Sequence, residues 1–476
     1  MYINGAWVET DQRFTVTNPA NGEAIGEVAN AGPEHIEGAI AAAHDAFASW
    51  RKTTAYERSA LLYRAWQLML EQKQELAELM TKEQGKPLKA SLNEVQYGAD
   101  FLLWFAEEAK RLYGHSIPSA RADQRFWVQK QPVGVVGAIT PWNYPISMIT
   151  RKVGPALAAG CTVVLKPAES TPLCAMAMFR IFEQAGFPKG VLNLLTTEDP
   201  RPVGNAFCDD PRVRKITFTG STAVGKLLNE RAGRHIKRVS MELGGHAPAL
   251  VFADADPVHA AKGLSLVKFL NTGQACISPN RILVQREVMA PFLKELGKRI
   301  AAMKAGNGMD PDTRIGPLIN EAAISKVDNQ VKDALSKGAS LLGGGERLLT
   351  PELAGGHFYA PTLLADVSPE MLIYREETFG PVAAVVPFDT EEEALAMAND
   401  THYGLAAYVY TENLSRAMRV FEGLDFGIIG INDINPTSAA APFGGMKESG
   451  LGREGAQAGI EEYLETKLGG IAVAGG

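Results

Sequence analysis

The chain lacks the features that mark secreted, metal-stapled or membrane-spanning proteins. Its four cysteines, Cys161, Cys174, Cys208 and Cys276, are scattered among 476 residues without a CxxC pair, so neither a disulfide framework nor a structural zinc site is expected. No stretch approaches the roughly 18 apolar residues that cross a bilayer. The N-terminal MYINGAWVET also lacks a basic region followed by an apolar run. These absences predict a cytoplasmic protein with no metal site and no membrane contact.

Positive charge is also scarce. The 47 lysines and arginines are outnumbered by 54 aspartates and glutamates, which gives a formal net charge of -7. Nucleic-acid binding usually needs a basic face, so nucleic acid is not an expected partner. With 46% apolar and 21% charged residues, a chain of this length is expected to fold into two or three domains.

Strand-like and helix-like runs alternate over most of the chain. Two early helical patterns cover 34–49 and 56–84. The strand-like runs of a first series are 133–140, 161–167, 191–195 and 215–220. Those of a second series are 247–252, 282–284, 382–388 and 427–432. Such alternation is typical of parallel sheets with right-handed crossovers, so we expect an α/β protein with two doubly wound units.

Cys276 is the cysteine with the most distinctive surroundings. It lies in NTGQACIS at 271–278, where small and polar residues suit a close approach to the start of a helix. A cysteine beside a helix N-terminus has a lowered pKa, and its thiolate is a strong nucleophile. The alternative is a buried structural cysteine, which composition alone favours.

Two further side chains are suited to catalysis. Glu242 in MELGGHAP lies among apolar residues and glycines, where burial raises the pKa of a carboxyl toward that of a general base. Its alternative is a surface carboxylate at a strand end. Asn143 in ITPWNYP follows a strand, where α/β proteins place ligands, and its amide is suited to an oxyanion. Its alternative is a turn asparagine that caps the next helix.

Two strand ends carry groups suited to a nucleotide, although the GxGxxG fingerprint is absent. FTGSTAVGK places Ser221 between a strand and a helix, and helix N-termini attract phosphates. LKPAE ends another strand with Lys166 and Glu169, which are suited to ribose hydroxyls. The alternative for this pair is a solvated lysine and glutamate in a loop.

Taken together, the motifs resemble those of the aldehyde dehydrogenase superfamily over essentially the whole chain. The order is ITPWNYP, LKPAE, FTGST, MELGG, NTGQAC, EETFGPV at 376–382 and PFGGMKESGLGRE at 442–454. Seven motifs in this order are specific, although each alone is not. The resemblance implies a variant Rossmann cofactor domain, a catalytic domain and a small β oligomerisation arm, in a homodimer or homotetramer. The cofactor domain covers 1–113 and 134–245, and the catalytic domain covers 246–445. The oligomerisation arm covers 114–133 and 456–476.

The same resemblance implies roles for individual residues. Cys276 matches the nucleophile, Glu242 the general base, and the Asn143 amide with the Cys276 N–H the oxyanion hole; Lys152 and Glu454 match a proton-relay pair. Contacts to the cofactor are implied for Thr140, Pro141, Trp142, Lys166, Glu169, Gly220, Ser221, Gly225, Glu377 and Phe379. The implied reaction is NAD(P)-dependent oxidation of an aldehyde to the acid through a thiohemiacetal and a thioester.

The cofactor preference can be argued from charge. The Glu169 carboxylate is suited to the ribose hydroxyls but would repel a 2′-phosphate, so we expect NAD to be preferred, with NADP as the alternative.

Within the superfamily, four stretches resemble bacterial succinate-semialdehyde and α-ketoglutarate-semialdehyde dehydrogenases. They are 147–169, 240–248, 275–281 and 450–467. The resemblance implies an aldehyde with a distal carboxylate, gripped by Arg151; alternatively Arg151 caps a helix or pairs with a nearby acid. Succinate-semialdehyde enzymes carry a second arginine where this chain has Leu270. Thr437, Ser438 and Phe443 match the lining of the substrate mouth.

Three other functions stay open. The first is a catalytically silent structural member of the family, and the second is a thiol hydrolase that needs no cofactor and therefore no Lys166 or Glu377. The third is a broad-specificity, betaine- or aminoaldehyde dehydrogenase. A cationic substrate would be repelled by Arg151, which disfavours the aminoaldehyde reading.

Overall fold

The computed structural model of the chain describes residues 1–474; residues 475 and 476, the end of the predicted segment 456–476, lie outside the described residues. The strands are, in chain order, β1 (Tyr2–Ile3), β2 (Ala6–Trp7), β3 (Arg13–Thr17), β4 (Ala24–Ala29), β5 (His115–Ile117), β6 (Gln124–Pro132), β7 (Val135–Ile139), β8 (Thr162–Lys166), β9 (Leu192–Leu194), β10 (Val213–Thr219), β11 (Arg238–Glu242), β12 (Ala247–Val251), β13 (Pro279–Gln285), β14 (Ser340–Gly343), β15 (Thr362–Ala365), β16 (Val382–Phe388), β17 (Ala406–Tyr410), β18 (Ile428–Ile431), β19 (Gly450–Leu451) and β20 (Leu464–Ala472). The helices are α1 (Pro33–Trp50), α2 (Ala55–Glu71), α3 (Lys73–Gln84), α4 (Leu88–Glu108), α5 (Ser147–Ala159), α6 (Pro172–Ala185), α7 (Arg201–Asp209), α8 (Thr222–Gly233), α9 (Pro257–Lys268), α10 (Arg286–Ala301), α11 (Glu321–Ser336), α12 (Leu372–Arg375), α13 (Glu391–Asn399), α14 (Leu414–Gly423) and α15 (Ala456–Glu461).

The first open sheet has the strand order β19-β11-β10-β7-β8-β9-β1-β2. Strands β11 to β9 in this order run parallel, with antiparallel strands at both edges. Because side chains alternate between the faces of a strand, β7 sends Val136 and Ala138 into a core with α2, α4, α5 and α6. Val135 enters a second core on the other face, with α1 and α7. Helices therefore cover both faces, as in a doubly wound sheet.

The second open sheet has the order β14-β15-β16-β13-β12-β17-β18. All its neighbours from β15 to β18 pair in parallel, and β14 is antiparallel at one edge. Leu283 on β13 packs into a core with α11 and α13, while Ile282 and Val284 pack with α9 and α10 on the opposite face. The prediction of two doubly wound α/β units is thus confirmed.

A three-stranded antiparallel sheet, β20-β6-β5, completes the β arm. Strand β20 pairs with β6 along its whole length, from Leu464 opposite Pro132 to Ala472 opposite Gln124. The two predicted oligomerisation segments therefore pair with each other within one chain. On this sheet the side chains of Trp127 and Leu468 are 64% and 61% exposed. A search of residues 1–474 finds no helix with the length and apolarity needed to cross a bilayer.

Some elements differ from the sequence expectation. The helical pattern at 56–84 forms two helices that part at Gln72. Helix α4, of 21 residues, was not anticipated, although Val95, Ala99, Leu102 and Phe105 on it are fully buried at helical spacing. Strand β19 lies between the predicted catalytic domain and the second oligomerisation segment and pairs with β11 of the first sheet; the predicted domain bounds stay a prediction.

The two open sheets present opposite strand ends to the predicted site. The carboxyl ends of β7, β8, β10 and β11 lead to the loops of the first unit, and Glu242 ends β11. In the second unit, Gly245, Cys276 and Phe379 precede the amino ends of β12, β13 and β16. Hydrogen bonds from Asn143 to Gln274 and from Gly245 to Glu377 join these loops. The predicted site residues therefore meet between the carboxyl ends of strands in the first sheet and the amino ends of strands in the second.

Candidate active site

The Cys276 loop is a strained segment held in place by its neighbours. Cys276 lies in a turn between a 3-10 turn (Leu270–Gly273) and β13. Asn271 and Thr272 have φ of 49° and 59°. This left-handed conformation is rare for a β-branched residue such as Thr272. The Thr272 hydroxyl donates to the Gly316 carbonyl at 3.1 Å, and the Asn271 amide donates to the Asn143 carbonyl at 2.9 Å. These bonds fix the backbone that leads to the cysteine.

The prediction that Cys276 lies at the start of a helix is wrong, because the chain enters a turn and then a strand there. Burial raises the pKa of the Cys276 thiol to about 12, and the positive charge of Arg151 opposes only part of this rise. A raised pKa favours the neutral thiol over the thiolate. Attack of the thiol on a carbonyl needs a proton acceptor.

Asn143 is joined directly to the cysteine loop. Its side-chain Nδ2 donates to the Gln274 carbonyl at 3.0 Å, two residues before Cys276. The second hydrogen of this amide is available to a ligand, because a primary amide has two donors. The alternative that Asn143 caps the next helix is wrong, since Ile146 occupies the N-cap of α5.

Glu242 is buried at the end of β11, with 3% of its surface exposed, so the surface alternative is wrong. Among residues 1–474 its Oε2 has no hydrogen-bond partner. Burial and the nearby Glu454 carboxylate raise the pKa of Glu242 well above its usual value, although Arg151 and Lys152 oppose the rise. A carboxyl with an orphaned oxygen and a raised pKa is suited to accept a proton near neutral pH.

Arg151, Lys152 and Glu454 form a buried ionic group beside Glu242. An Arg151 guanidinium nitrogen lies 2.7 Å from Glu454 Oε2, and Lys152 contacts Oε1 of the same carboxylate. Lys152 Nζ also donates to the Thr219 hydroxyl at 2.6 Å. Burial favours the neutral form of Glu454, but the two cations outweigh it and lower its pKa. The alternative that Arg151 pairs with a nearby acid is confirmed; the relay role of Lys152 and Glu454 stays a prediction.

The residues predicted to hold a cofactor line the carboxyl edge of the first sheet. Thr140 donates its N–H to the Lys166 carbonyl at 3.2 Å, and its buried hydroxyl has no partner within residues 1–474. Lys166 contacts Glu169, and burial lowers the pKa of Lys166. Next along the chain, Pro141 is half-buried, and the rings of Trp142 and Phe379 meet edge to face 5.6 Å apart.

The loop after β10, predicted to hold a phosphate, leads into the start of α8. Ser221 caps α8, and its hydroxyl accepts the Val224 N–H at 3.4 Å. A Cβ added to Gly225 would lie 2.3 Å from the Leu243 side chain, so only glycine lets α8 pack this closely. Gly220, just before the cap, donates its N–H to the Glu242 carbonyl at 3.1 Å.

Glu377 links the cofactor edge to the cysteine. Its Oε1 accepts the Gly245 N–H at 2.9 Å, and a Cβ added to Gly245 would lie 2.2 Å from the Cys276 carbonyl oxygen. Burial raises the pKa of Glu377. Phe379, two residues on, has a φ of 56°. The orphaned Thr140 hydroxyl, the capped helix and this carboxylate fit a dinucleotide, although their contacts to it stay predictions.

The residues predicted for the substrate mouth differ in position. Phe443 is buried and its ring lies 3.9 Å from the Arg151 guanidinium carbon. Leu270 is 40% exposed, Ser438 is exposed and Thr437 is half-buried, with its hydroxyl 3.4 Å from Asn435 Oδ1. Their contacts to a substrate stay predictions.

Sequence reasoning missed three polar residues around Asn143: Lys86, Glu94 and Gln274. Lys86 donates to the Asn143 carbonyl, Glu94 accepts from the backbone of Ile146, and Gln274 bonds the Asn143 amide through its own carbonyl. The available signal was the lysine of QGKP, which is flanked by a glycine and a proline at the end of a helix.

Comparison with known proteins identifies the family. The aldehyde dehydrogenase family model matches residues 7–468. The mitochondrial succinate-semialdehyde dehydrogenase of Oryza sativa subsp. japonica is 52% identical over 98% of this chain and 88% of its own length. Glutarate-semialdehyde dehydrogenase of Pseudomonas putida is 49% identical over 98% of this chain and 96% of its own length. The solved structure of an E. coli NADP-dependent enzyme matches with a TM-score of 0.97 and 48% identity, over 99% of this chain and 98% of that one.

The fold and these matches define an NAD(P)-dependent oxidoreductase. The chain belongs to the aldehyde dehydrogenase family, and it acts on aldehydes. The resemblance carried by the seven motifs is confirmed.

Proposed function

We propose that this enzyme oxidises a short aldehyde with a distal carboxylate, of the succinic or glutaric semialdehyde type, and prefers NAD. The observation that carries the proposal is the fully buried Arg151 guanidinium, which lies 3.9 Å from the centre of the Phe443 ring and 2.7 Å from Glu454. The names of the rice and Pseudomonas relatives support the same substrate class.

The charge balance of the site favours an anion. Arg151 and Lys152 face one carboxylate, Glu454, whose pKa they lower, while burial raises the pKa of Glu242 and favours its neutral form. The site therefore carries excess positive charge in a medium that screens it weakly. The guanidinium already pairs with Glu454 and stacks on Phe443, so a substrate carboxylate has to share it. A cationic aminoaldehyde is disfavoured by the same charge.

The arrangement supports a two-stage reaction. The Cys276 sulfur adds to the aldehyde carbon while its proton passes to a basic group or water, and the new oxyanion accepts from the Asn143 amide and the Cys276 N–H. A bound nicotinamide would supply the hydride acceptor for this adduct, which would leave a thioester on Cys276. Glu242 then takes a proton from the water that hydrolyses the thioester. Lys152 and Glu454 lie next to Glu242 and would pass that proton onward.

The NAD preference rests on Glu169. Its carboxylate lies at the edge where the ribose is expected and would repel a 2′-phosphate, whereas Lys166 offsets part of that charge. The E. coli relative is named for NADP, so the two cofactors need a direct comparison. We expect kcat/KM to be higher with NAD; a clear preference for NADP would refute this part of the proposal.

Assembly, domain bounds and compartment are part of the same proposal. The exposed Trp127 and Leu468 on the β20-β6-β5 sheet support a homodimer or homotetramer in which this arm contacts a second copy. The arm is formed by 114–133 and 456–476, beside a cofactor domain at 1–113 and 134–245 and a catalytic domain at 246–445. Four free cysteines support a reducing compartment such as the cytoplasm.

The decisive experiment is a panel of C3 to C6 aldehydes, each with and without a distal carboxylate, together with 4-aminobutanal. NADH formation at 340 nm gives kcat/KM for each. Succinic or glutaric semialdehyde should exceed the uncharged aldehyde of equal length by about tenfold or more, the equivalent of one charge-assisted contact. Equal values for the charged and uncharged members would rule out the semialdehyde assignment.

A further inference from the structure

A buried ion pair lies behind the turn that carries Asn143. Lys86, in the loop between α3 and α4, contacts Glu94 on α4, and each side chain is only 1% exposed. Neither residue belongs to the groups assigned above to the substrate or the cofactor. Burying two charges is costly unless further hydrogen bonds use their remaining donors and acceptors, so the partners of the pair are informative.

Those partners are the two ends of one short segment. Lys86 Nζ donates to the Asn143 carbonyl at 2.7 Å and lies 4.1 Å from the centre of the Tyr144 ring. Glu94 Oε1 accepts the N–H groups of Ile146 and Ser147 at 3.0 and 3.2 Å. These N–H groups belong to the start of α5, which has no side-chain cap of its own. One ion pair thus holds both ends of the turn 143–147.

This grip determines the direction of the Asn143 side chain. Lys86 and Asn271 both donate to the Asn143 carbonyl, which fixes the peptide plane next to the side chain. One amide hydrogen is taken by Gln274, so the remaining one has a single direction left to point. Donors of an oxyanion hole act through such preorganisation, and small misplacements reduce the rate strongly.

The loop that carries Lys86 is itself held firmly. Gly85 has a φ of 93°, and a Cβ added to Gly316 would lie 2.3 Å from the Gly85 carbonyl oxygen. The Leu88 N–H donates to the Gly308 carbonyl at 2.9 Å. The Gly316 carbonyl also accepts a hydrogen bond from the Thr272 hydroxyl in the cysteine loop. The loop of Lys86, which supports Asn143, and the loop of Cys276 therefore both contact the backbone of Gly316.

We propose that Lys86 and Glu94 are a positioning pair for the oxyanion hole, which sets the Asn143 amide for the thiohemiacetal step. An apolar pair of equal volume cannot replace it, because it would leave the Asn143 carbonyl and the first N–H groups of α5 without these partners. The inference rests on the proposed role of Asn143 as the oxyanion donor.

The test uses full-length enzyme with Lys86→Met, Glu94→Gln and the double variant, in which neither buried charge is left alone. Lys215→Met is the matched control, because Lys215 is also fully buried, near the amino end of β10, 3.7 Å from Glu462. Thermal unfolding reports the fold of each variant. Alkylation of Cys276 by iodoacetamide reports the thiol in a reaction that forms no oxyanion, and kcat and KM report the dehydrogenase step.

We expect Lys86→Met and the double variant to lower kcat by about ten- to a hundredfold, somewhat less than loss of an oxyanion donor, with little change in the KM for the aldehyde. The alkylation rate should stay within about twofold of the original, and Lys215→Met should keep its kcat. If a lysine variant does not fold, Glu94→Gln tests the same pair, because it removes the charge that holds Lys86 while an oxygen remains for the helix N–H groups; it should lower kcat without a parallel fall in the alkylation rate.

The deciding comparison is made in an Asn143→Ala background. A positioning pair that acts through Asn143 has nothing left to position there, so Lys86→Met should lower kcat by less than about twofold. An undiminished fall in that background, an equal fall in Lys215→Met, or an alkylation rate that falls in parallel would each overturn the inference. If Asn143→Ala alone keeps full activity, the proposed role of Asn143 fails instead.

Discussion

Two buried groups of charges contact α5, one at its start and one through Arg151 and Lys152 further along it, and they are built differently. The support pair, Lys86 and Glu94, bonds backbone carbonyl and N–H groups. The reaction cluster consists of Arg151, Lys152, Glu242 and Glu454, whose contacts are to side chains. It also leaves Glu242 Oε2 without a partner among residues 1–474.

The difference separates two uses of buried charge. A pair whose donors and acceptors are taken by backbone fixes a conformation, because any change of protonation would break several bonds at once. A cluster with an unpaired carboxyl oxygen and a raised pKa can take up and release a proton. The site therefore needs both kinds of charge, one to hold the amide and one to move protons beside Cys276.

The largest effect is expected from removing the base of the reaction cluster. Glu242→Gln keeps the volume of the side chain but cannot accept a proton, so kcat should fall by about a hundred- to ten-thousandfold. The raised pKa of Glu242 means that hydrolysis in the original enzyme should quicken as pH rises through that pKa, since the deprotonated form is the active one. Stopped-flow rates against pH should show this rise in the original enzyme and not in the variant. A variant that keeps the rise would assign the base elsewhere.

The next effect concerns stability. Glu454→Ala leaves Arg151 and Lys152 buried without their shared carboxylate, which should lower the free energy of unfolding by about 3–5 kcal/mol. The control is Glu230→Ala, which removes an exposed ion pair with Arg234 and should cost less than about 1 kcal/mol. Denaturant titration of both gives the comparison. Equal losses would show that leaving Arg151 and Lys152 without their shared carboxylate has no special cost.

A smaller effect is expected at the proposed substrate clamp. Arg151→Met keeps an apolar side chain at this position but removes the guanidinium, with its charge, that stacks on Phe443, so kcat/KM for succinic semialdehyde should fall by about tenfold more than for butanal. Steady-state kinetics on the two aldehydes measures the ratio. If both substrates lose the same factor, Arg151 acts only through Glu454.

The smallest effect is expected from adding a charge at the mouth. Leu270→Arg places a guanidinium on a half-exposed residue of the 3-10 turn before Cys276, and solvent screens most of its attraction. The KM for succinic semialdehyde should therefore fall by only about two- to fivefold, the range of exposed ion pairs. Leu270→Gln, of similar length and no charge, is the control. An equal change with glutamine would remove charge as the cause.

Much of the fold could be predicted from the sequence. A parallel strand that is buried on both faces needs apolar residues at successive positions, so it can be recognised as a short apolar run. VGVVGAIT and CTVVLKP are such runs, and both became strands of the first sheet. Helix α4 was missed, since its stripe of buried residues is interrupted by polar groups such as Glu94 that are themselves buried.

The candidate site was predictable as a set of motifs but not as a geometry. One of the two readings of the sequence around Glu242, a buried carboxyl with a raised pKa, followed from its apolar and glycine neighbours and agrees with the structure. The raised pKa of Cys276 did not follow from the local sequence, because it depends on burial by segments far along the chain. The contact of Lys86 with Asn143 spans 57 positions, and no local pattern encodes such a pairing.

The most direct test traps the acyl group on the enzyme. In Glu242→Gln, which cannot hydrolyse the thioester quickly, succinic semialdehyde and NAD should leave one acyl group per subunit, mapped by peptide mass spectrometry to Cys276. The adduct should be absent without NAD and absent in Glu242→Gln/Cys276→Ala. An acyl group on Cys161, Cys174 or Cys208, or full turnover by Cys276→Ala, would contradict the account.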